Sequence, residues 1–522
     1  MITNLGGIGN YGSNDDFEPP LQKLYFNSEN LFKCEPLTTA LLAKNDGELE
    51  EDILNKEYNA QLQRYSAFEG NSQWDGKVYD MVFYGVSGYT GYLMMEYIKR
   101  TALKTTPEEF TFAFAGRTAS KVQQAALERF RGTEYEDCAI LQMSYDNIQS
   151  VVDLVKSAKV VINVAGPYML TRGELLIDAC CLLGRDYVDI SGEIPWSLRA
   201  LEFHNYAKER GSFVIPSAAA AGGFPDLCTY LCAQNIRERT GEELLTASCY
   251  TFGGGASASA SGGTLKTRAA MSSSGDEVRK AMGDPFSLGG FIPDIDRHGF
   301  KSVNIEFGTG ICRPKVRQMD IDANIARVNQ DPKTGFWRGP FVYSYFDTRV
   351  VRRSNMLFAD YANRPYGSKL NFMEYAILPD PATMQQAGGG GGGGGPRASV
   401  EDEKKALEAA GKYYKEGEGP PLEDLMSAYT GYLVYAESGS GVVAKSSMLG
   451  RDGYYETARA GIETALTLVF DRKELPFRGG VLTPTVAVGD AWKRRLVRSC
   501  MIVNDDKWMP LEGPHIPPPF AP

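Results

Sequence analysis

At 522 residues the chain is longer than one ordinary hydrophobic core, so two or three folded units are expected. Hydrophobic residues make up 43% and charged residues 23%, the range of a globular protein with a core. A net charge of −10 argues against sequence-independent nucleic-acid binding, which needs a basic footprint.

Residues 1–77 lack sustained periodicity except near Leu49–Leu62, where a helix is predicted, and read as a partly disordered N-terminal extension. Met1–Pro20 is polar, without a basic n-region or apolar run, which argues against a secretory signal. No apolar stretch approaches the roughly 20 residues that span a bilayer. Nine cysteines without framework spacing read as reduced thiols of a cytoplasmic protein. Cys228 and Cys232 stand one helical turn apart, but nothing completes a zinc set, so no metal is expected.

At Lys77 the character changes. Val78–Tyr84 is a short, apolar, β-prone run, followed by a glycine-rich turn and by Tyr92–Lys99 in helical spacing. Further strands are predicted at Phe110–Ala115, Ala139–Met143, Val160–Val164, Tyr187–Ile190 and Phe213–Pro216. Helices at Ser120–Phe130, Ile148–Ser157, Glu174–Leu183 and Leu198–Lys208 separate them. That rhythm predicts an α/β unit, a Rossmann-type doubly wound parallel sheet, over residues 78–220. Beyond Gly222 the alternation fails. Ala247–Phe252, Val303–Phe307, Pro340–Arg349, Asn371–Ile377, Ala428–Glu437 and Gly441–Met448 read as strands of an antiparallel sheet. A second α+β domain over 221–450, for substrate and dimerisation, is therefore expected. Gly388–Gly395 is unbroken glycine and marks a flexible insertion at 386–400. Helices at Tyr454–Val469 and Asp490–Arg498 predict a helical return to the first domain over 451–522.

The turn after the first strand reads Gly85-Val86-Ser87-Gly88-Tyr89-Thr90-Gly91. Glycines here let the chain turn tightly, bring backbone N–H groups (and those of Ser87, Tyr89 and Thr90) onto a pyrophosphate, and let the next helix pack on the sheet. The positive end of that helix then faces the phosphates. Two residues separate the first pair of glycines, a departure from the commonest fingerprint. An NAD site places an acid at the end of the second strand; here stands Gly116-Arg117-Thr118, with Lys121 one turn later. A guanidinium offers planar donors to a 2′-phosphate, so NADP(H) is expected over NAD(H). The fourth strand ends in Asn163-Val164-Ala165-Gly166-Pro167-Tyr168 and the fifth in Asp189-Ile190-Ser191-Gly192-Glu193. Both turns lie at the carboxyl ends of strands, where ligands of open α/β sheets bind. Asn163, Ala165, Gly166, Pro167 and Glu193 are the cofactor-flanking candidates; Asp189 is either a ligand carboxylate or a cap.

The ordered series GVSGYTG, AGR, NVAGPY and DISGE resembles the saccharopine dehydrogenase-like oxidoreductases, most closely the branch that includes trans-acting enoyl reductases. The likeness continues through Ser261-Gly262-Gly263-Thr264, the run Asp347–Ser354, and Gly479–Pro484. It covers roughly Val78 to Val503, leaving out the first 77 residues and the glycine tract. The resemblance implies hydride transfer to a small-molecule or lipid-like substrate, an enoyl group foremost, in lipid or glycolipid metabolism. It also implies peripheral association with lipid droplets or membranes, for which the aromatic-rich Phe336–Phe346 is a candidate surface; a homodimer is a further expectation. Two alternatives stay open: a non-catalytic NADP(H)-binding sensor or scaffold, and a saccharopine-type amino-acid dehydrogenase.

Enoyl reduction needs donors for the charge that develops on the carbonyl oxygen, and a proton source. Tyr168 and Lys266 are the proton-donor candidates. Ser261–Thr264 reads as a helix start, either a plain cap or an oxyanion site. Arg349, Arg352 and Arg353 follow the predicted strand Pro340–Arg349, and alternation turns Arg349 and Arg353 to one face, toward the cleft or into an ion-pair network. His204, His298 and His515 lack a partner carboxylate or serine and read as structural or solvated.

Overall fold

The computed structural model describes residues 72, 74–254, 260–291, 302–306, 312–325, 327–379 and 400–508. The predicted helix near Leu49–Leu62, the glycine tract, His298 and His515 lie outside them.

The first part alternates as its hydrophobic pattern demands: β1 (Tyr79–Tyr84), α1 (Tyr89–Tyr97), β2 (Phe112–Gly116), α2 (Ala119–Phe130), β3 (Ala139–Gln142), α3 (Ile148–Lys156), β4 (Ala158–Asn163), α4 (Glu174–Leu183), β5 (Asp186–Asp189), α5 (Ile194–Leu201), α6 (His204–Arg210), β6 (Phe213–Ile215) and α7 (Ala220–Thr240). Met81, Val82 and Phe83 are all fully buried, because a parallel strand covered by helices on both faces has no solvated side. The single helix predicted over Leu198–Lys208 is two, α5 and α6, broken at Glu202-Phe203.

The rest of the chain runs β7 (Leu244–Gly254), α8 (Gly262–Ser272), α9 (Asp276–Gly283), β8 (Ser302–Glu306), β9 (Cys312–Arg317), β10 (Asn329–Gln330), β11 (Trp337–Gly339), α10 (Ser344–Ala362), β12 (Asn371–Ile377), α11 (Val400–Ala409), α12 (Leu422–Ser427), β13 (Tyr429–Ser438), β14 (Val443–Arg451), α13 (Gly453–Phe470), β15 (Gly480–Val481), α14 (Pro484–Arg498) and β16 (Ile502–Asn504). The first sheet has the order β15-β6-β5-β4-β1-β2-β3, with every neighbouring pair parallel. Its six consecutive strands follow the dinucleotide-binding order, and the late segment Gly480–Val481 adds a seventh.

The second sheet, β10-β11-β12-β7-β13-β14-β16, corrects three expectations. It is mixed rather than antiparallel, since β7 and β12 run parallel, a pairing that needs a long crossover. The strand expected at Val303–Phe307 pairs only with β9, in a separate two-stranded sheet. The strand expected at Pro340–Arg349 is instead the entry to α10, a helix of 19 residues. Its aromatic and threonine residues favour a strand locally, but Phe346, Val350, Ser354 and Leu357, spaced for one helix face, are all buried. The expected helical return also contributes two strands, β15 and β16.

Two carboxyl groups lie back to back between α10 and the second sheet. Asp347 and Glu374 are both fully buried, and neither Asp347 oxygen nor Glu374 Oε2 has a well-aligned donor. Thr251 Oγ1 donates to the other glutamate oxygen at 2.7 Å. Burial, then the charge of Glu374, raises Asp347, and burial pushes Glu374 up to about 6. Like charges this close hold a proton between them. In the unfolded chain both ionise near pH 4. The folded chain therefore binds the extra proton, and that stabilisation is lost as pH rises through the folded values. We expect the unfolding midpoint to fall between about pH 5 and about pH 8, and to fall less steeply in Asp347→Asn; equal slopes in thermal melts would remove the shared proton from this account.

Candidate dinucleotide and substrate cleft

The turn between β1 and α1 leaves no room for side chains. Gly85 has φ +97°, which an L residue rarely adopts, and a Cβ there would lie 2.7 Å from Ala165 N. A Cβ at Gly91 would lie 2.3 Å from Val86 Cα, so α1 sits directly against the turn. Gly88 is different: its nearest neighbour would be Gly85 O at 3.5 Å, and the space beyond is the cleft. The first-turn N–H groups of α1 have no intrahelical acceptor, and Tyr89 and Thr90 line the cleft with Gly85, Ser87 and Gly88. Bare backbone donors, a helix start and open space fit a pyrophosphate.

Arg117 and Lys121 line the same cleft beyond the end of β2. Arg117 is exposed, and among the described residues neither cation forms an ion pair with a carboxylate. The edge contributed by β4 and β5 is held by internal hydrogen bonds. Asn163 Oδ1 accepts from Ala165 N at 3.0 Å, and Asn163 Nδ2 donates to Tyr187 Oη at 3.0 Å. The Glu193 carboxylate accepts from the amides of Tyr168 and Met169 at 2.9 and 2.7 Å. It thereby pins the Gly166-Pro167 turn to β5, and burial raises its carboxyl. Asp189 proves to be a cap: it accepts from Ser191 N, Ser217 N, Trp196 Nε1 and Tyr187 Oη.

The proton-donor candidates are not brought together. Tyr168 lines the cleft, but its hydroxyl donates to Asn163 O at 2.8 Å and its ring stacks on Trp196. Burial raises its phenol further. Lys266 is not itself a lining residue, and it pairs at 2.8 Å with Glu416, which is. Arg349, fully buried in α10, is not a lining residue; it spends its donors on Asp322 at 2.7 Å, Tyr345 O at 2.6 Å and Met282 O at 3.0 Å, all residues that line the cleft. Arg353 donates to Leu288 O and Val481 O instead, so the two arginines serve packing on different sides. His204, buried against β15, is pushed down to about 3 by burial and accepts from Val481 N.

The cleft, about 2200 Å³, is closed by residues from far along the chain. Ser261, Thr264, Thr267, Arg268 and Met271 of the α8 segment line one wall, and Thr267 Oγ1 reaches Glu193 at 3.4 Å. Tyr454 and Thr457 of α13 line another. A strap after α11 crosses between them. Gly262 N donates to Glu418 O at 3.0 Å, and a Cβ on Gly262 would lie 1.9 Å from Lys415 O. Tyr89 Oη donates to Pro420 O at 2.7 Å, and Gly419 lies over the Tyr89 ring. Sequence reasoning missed Tyr454, Thr457 and the strap. The Gly419-Pro420-Pro421 turn was the only local signal.

Residues 81–215 match the family model described as the saccharopine dehydrogenase NADP binding domain. Over these residues the chain is similar to the saccharopine dehydrogenases, and it is an NAD(P)-dependent oxidoreductase. The relatives of this oxidoreductase include the trans-acting enoyl reductase of Mycobacterium leprae, 26% identical over 453 residues, spanning 82% of this chain and 98% of that protein. The trans-acting enoyl reductase of Mycobacterium bovis (strain BCG) is 27% identical over 438 residues, 80% of this chain and 95% of the relative. Among solved structures it is similar to the L-Glu-forming saccharopine dehydrogenase of Saccharomyces cerevisiae (TM-score 0.41, 13% identity, 81% of this chain and 99% of that one). The glycine turn, Gly85–Gly91, lies within the residues matched by the NADP binding domain. No helix among the described residues is long and apolar enough to cross a membrane.

The glycines make separable predictions. Gly91→Ala forces a methyl into backbone and is expected to cost about 1–3 kcal/mol or more of stability, read as a lowered unfolding midpoint. Gly88→Ala is expected to melt like the parent yet to weaken NADPH binding about tenfold, because its methyl occupies the approach of the pyrophosphate. Unchanged nucleotide affinity in Gly88→Ala would take the pyrophosphate off this turn.

Proposed function

We propose that the protein transfers a hydride from NADPH to the enoyl group of a lipid-like substrate. The observation that carries this reading is that the cleft lined by the glycine turn is also lined by apolar side chains, its apolar arm. Leu170, Met271, Met282, Phe341, Val342 and Tyr345 line that arm, and Leu170 and Val342 are 58% and 50% exposed at its surface. Tyr345 Oη lies 3.9 Å from Met271 Sδ, which ties the α8 side of the arm to the start of α10. Flexible thioethers and aliphatic side chains suit a chain of methylenes, each of which gains about 0.8 kcal/mol on leaving water. The name borne by the mycobacterial relatives, trans-acting enoyl reductase, supports the same chemistry.

The bound nucleotide would supply the hydride; the protein supplies position and polarity. Gly85–Gly91 hold the pyrophosphate with backbone donors. Ala165, Gly166, Ser191 and Gly192, which line the cleft at the ends of β4 and β5, leave room for the nicotinamide ring. Glu193 keeps those two turns together. Arg117, aided by Lys121, takes the adenosine 2′-phosphate, since a carboxylate that would prefer a free ribose hydroxyl is missing there.

Arg117→Ala is expected to raise the dissociation constant for NADPH about 10- to 100-fold, the worth of a charge-assisted hydrogen bond pair, while NADH binding stays the same. Tighter binding of NADH than NADPH by the parent protein would overturn the assignment. For the substrate, NADPH oxidation should be faster, through a lower KM, with a trans-decenoyl than with a crotonyl thioester. Indifference to chain length would remove the apolar arm from the substrate site.

A further inference from the structure

Three hydroxyl groups meet on the cleft wall where α8 and α13 converge. Ser261 caps α8, Thr264 lies three residues on, and Tyr454 opens α13; all three line the cleft. Tyr454 Oη accepts from Ser261 N at 2.8 Å and lies 2.9 Å from Thr264 Oγ1. Thr264 Oγ1 lies 3.1 Å from Ser261 Oγ, which accepts from Thr264 N at 3.3 Å. The Tyr454 ring stands edge-on to Tyr89 of the nucleotide turn, with centroids 5.5 Å apart.

The protons can be counted. Three hydroxyls carry three O–H protons, and the cluster holds two hydroxyl–hydroxyl contacts, each using one. One O–H is left for the cleft. If Ser261 donates to Thr264 and Thr264 to Tyr454, the tyrosine oxygen has two donors on its lone pairs and its own proton free. That order also leaves the spare proton on a phenol, a far better acid than an aliphatic alcohol. Ser261, only 4% exposed, is the least able to meet a ligand. Tyr168, by contrast, already spends its one donor on Asn163 O, and Lys266 is not a lining residue of the cleft.

We infer that Tyr454 is the catalytic donor to the substrate carbonyl oxygen, with Thr264 and Ser261 as the positioning residues that resupply it. The inference rests on the reading of this cleft as a reductase site. As the β-carbon gains a hydride from the reduced nicotinamide nucleotide, the C=C pair shifts toward the carbonyl and charge gathers on its oxygen. That oxygen takes the Tyr454 proton, an O–H bond forming there as the tyrosine O–H breaks. The phenolate regains a proton along Thr264 and Ser261, and water replaces the one they lose. The enol then ketonises, water protonating the α-carbon and removing the oxygen-bound proton. The substrate is reduced by one hydride and one solvent proton, and the nucleotide is oxidised.

The test pairs turnover with binding. Tyr454→Phe should lower kcat on a trans-decenoyl thioester of N-acetylcysteamine by about 100-fold or more, with NADPH affinity unchanged, which also certifies that the variant is folded. In calorimetry with the saturated decanoyl thioester, the same variant should bind about tenfold more weakly for want of one hydrogen bond. Thr264→Val should lower kcat by about tenfold at constant KM, and Thr264→Ser should restore it. A Tyr454→Phe protein that keeps half of the parent kcat, or a Thr264→Ser that fails to rescue, overturns the inference. If the parent binds NADPH but leaves the enoyl thioester intact, the reductase reading fails. The titration with the saturated thioester then judges Tyr454 alone, and equal affinity of parent and Tyr454→Phe overturns its role.

Discussion

The cleft depends on a pair of backbone contacts that leave no room for a side chain. At Gly91 a single added carbon would lie 2.3 Å from Val86 Cα, and at Gly85 one would lie 2.7 Å from Ala165 N. These two approaches lock the start of α1 to the end of β1 and to the turn after β4. The peptide amides of that first helical turn consequently face open space with no internal acceptor. An anion meets fixed donors there, and no side chain has to be ordered to receive it. The rest of the Rossmann sheet serves these contacts: fully buried Met81, Val82 and Phe83 fix β1 between β2 and β4.

The remainder of the chain supplies the other walls of the cleft beside the parallel sheet. α8, α13 and the strap after α11 meet over the turn, and Tyr89 is the common member. Its hydroxyl donates to Pro420 O, its ring packs under Gly419, and its edge meets Tyr454. The residue that begins α1 is therefore also the residue on which the cleft walls rest. Lys266 belongs to this closure: its ion pair with Glu416, 43% and 63% exposed at the two side chains, is worth about 1 kcal/mol at most and tethers the strap.

The parallel sheet and the glycine turn were legible from residues 78–220 because strand, turn and helix signals there are local and mutually consistent. The same logic put the turns Asn163–Tyr168 and Asp189–Glu193 at the carboxyl ends of their strands, and residues of both line the cleft. What was not legible depends on contacts across hundreds of residues. Nothing near Tyr454 announces that it meets Ser261, and nothing near Gly480-Val481 announces a seventh strand. Pro340–Arg349 failed for a different reason: aromatic residues and threonine look like strand until the burial of Phe346, Val350 and Leu357 reveals a helix face. With the helix in place, the alternation argument for Arg349 and Arg353 has no basis.

The arginines divide by what surrounds them, and the division bears on the chemistry. Arg349, Arg352 and Arg353 are buried, and every one is engaged by protein oxygens: Asp322 for the first, Pro285 O and Phe372 O for the second, Leu288 O and Val481 O for the third. A guanidinium taken from water needs such partners, since an unpaired buried charge costs several kcal/mol. Once engaged, it has little left to offer a substrate. Burial even pushes Arg353 down to about 10. Arg117 is the opposite case, exposed and outside the ion pairs of the described residues. An exposed cation gains little from a lone carboxylate, about 0–1 kcal/mol. A phosphate that accepts two charge-assisted bonds in a fixed geometry returns more, about 1.5–3 kcal/mol. In the proposed reading, discrimination at the end of β2 therefore comes from both sides at once: a fork that rewards the extra phosphate, and a missing carboxylate that would have repelled it.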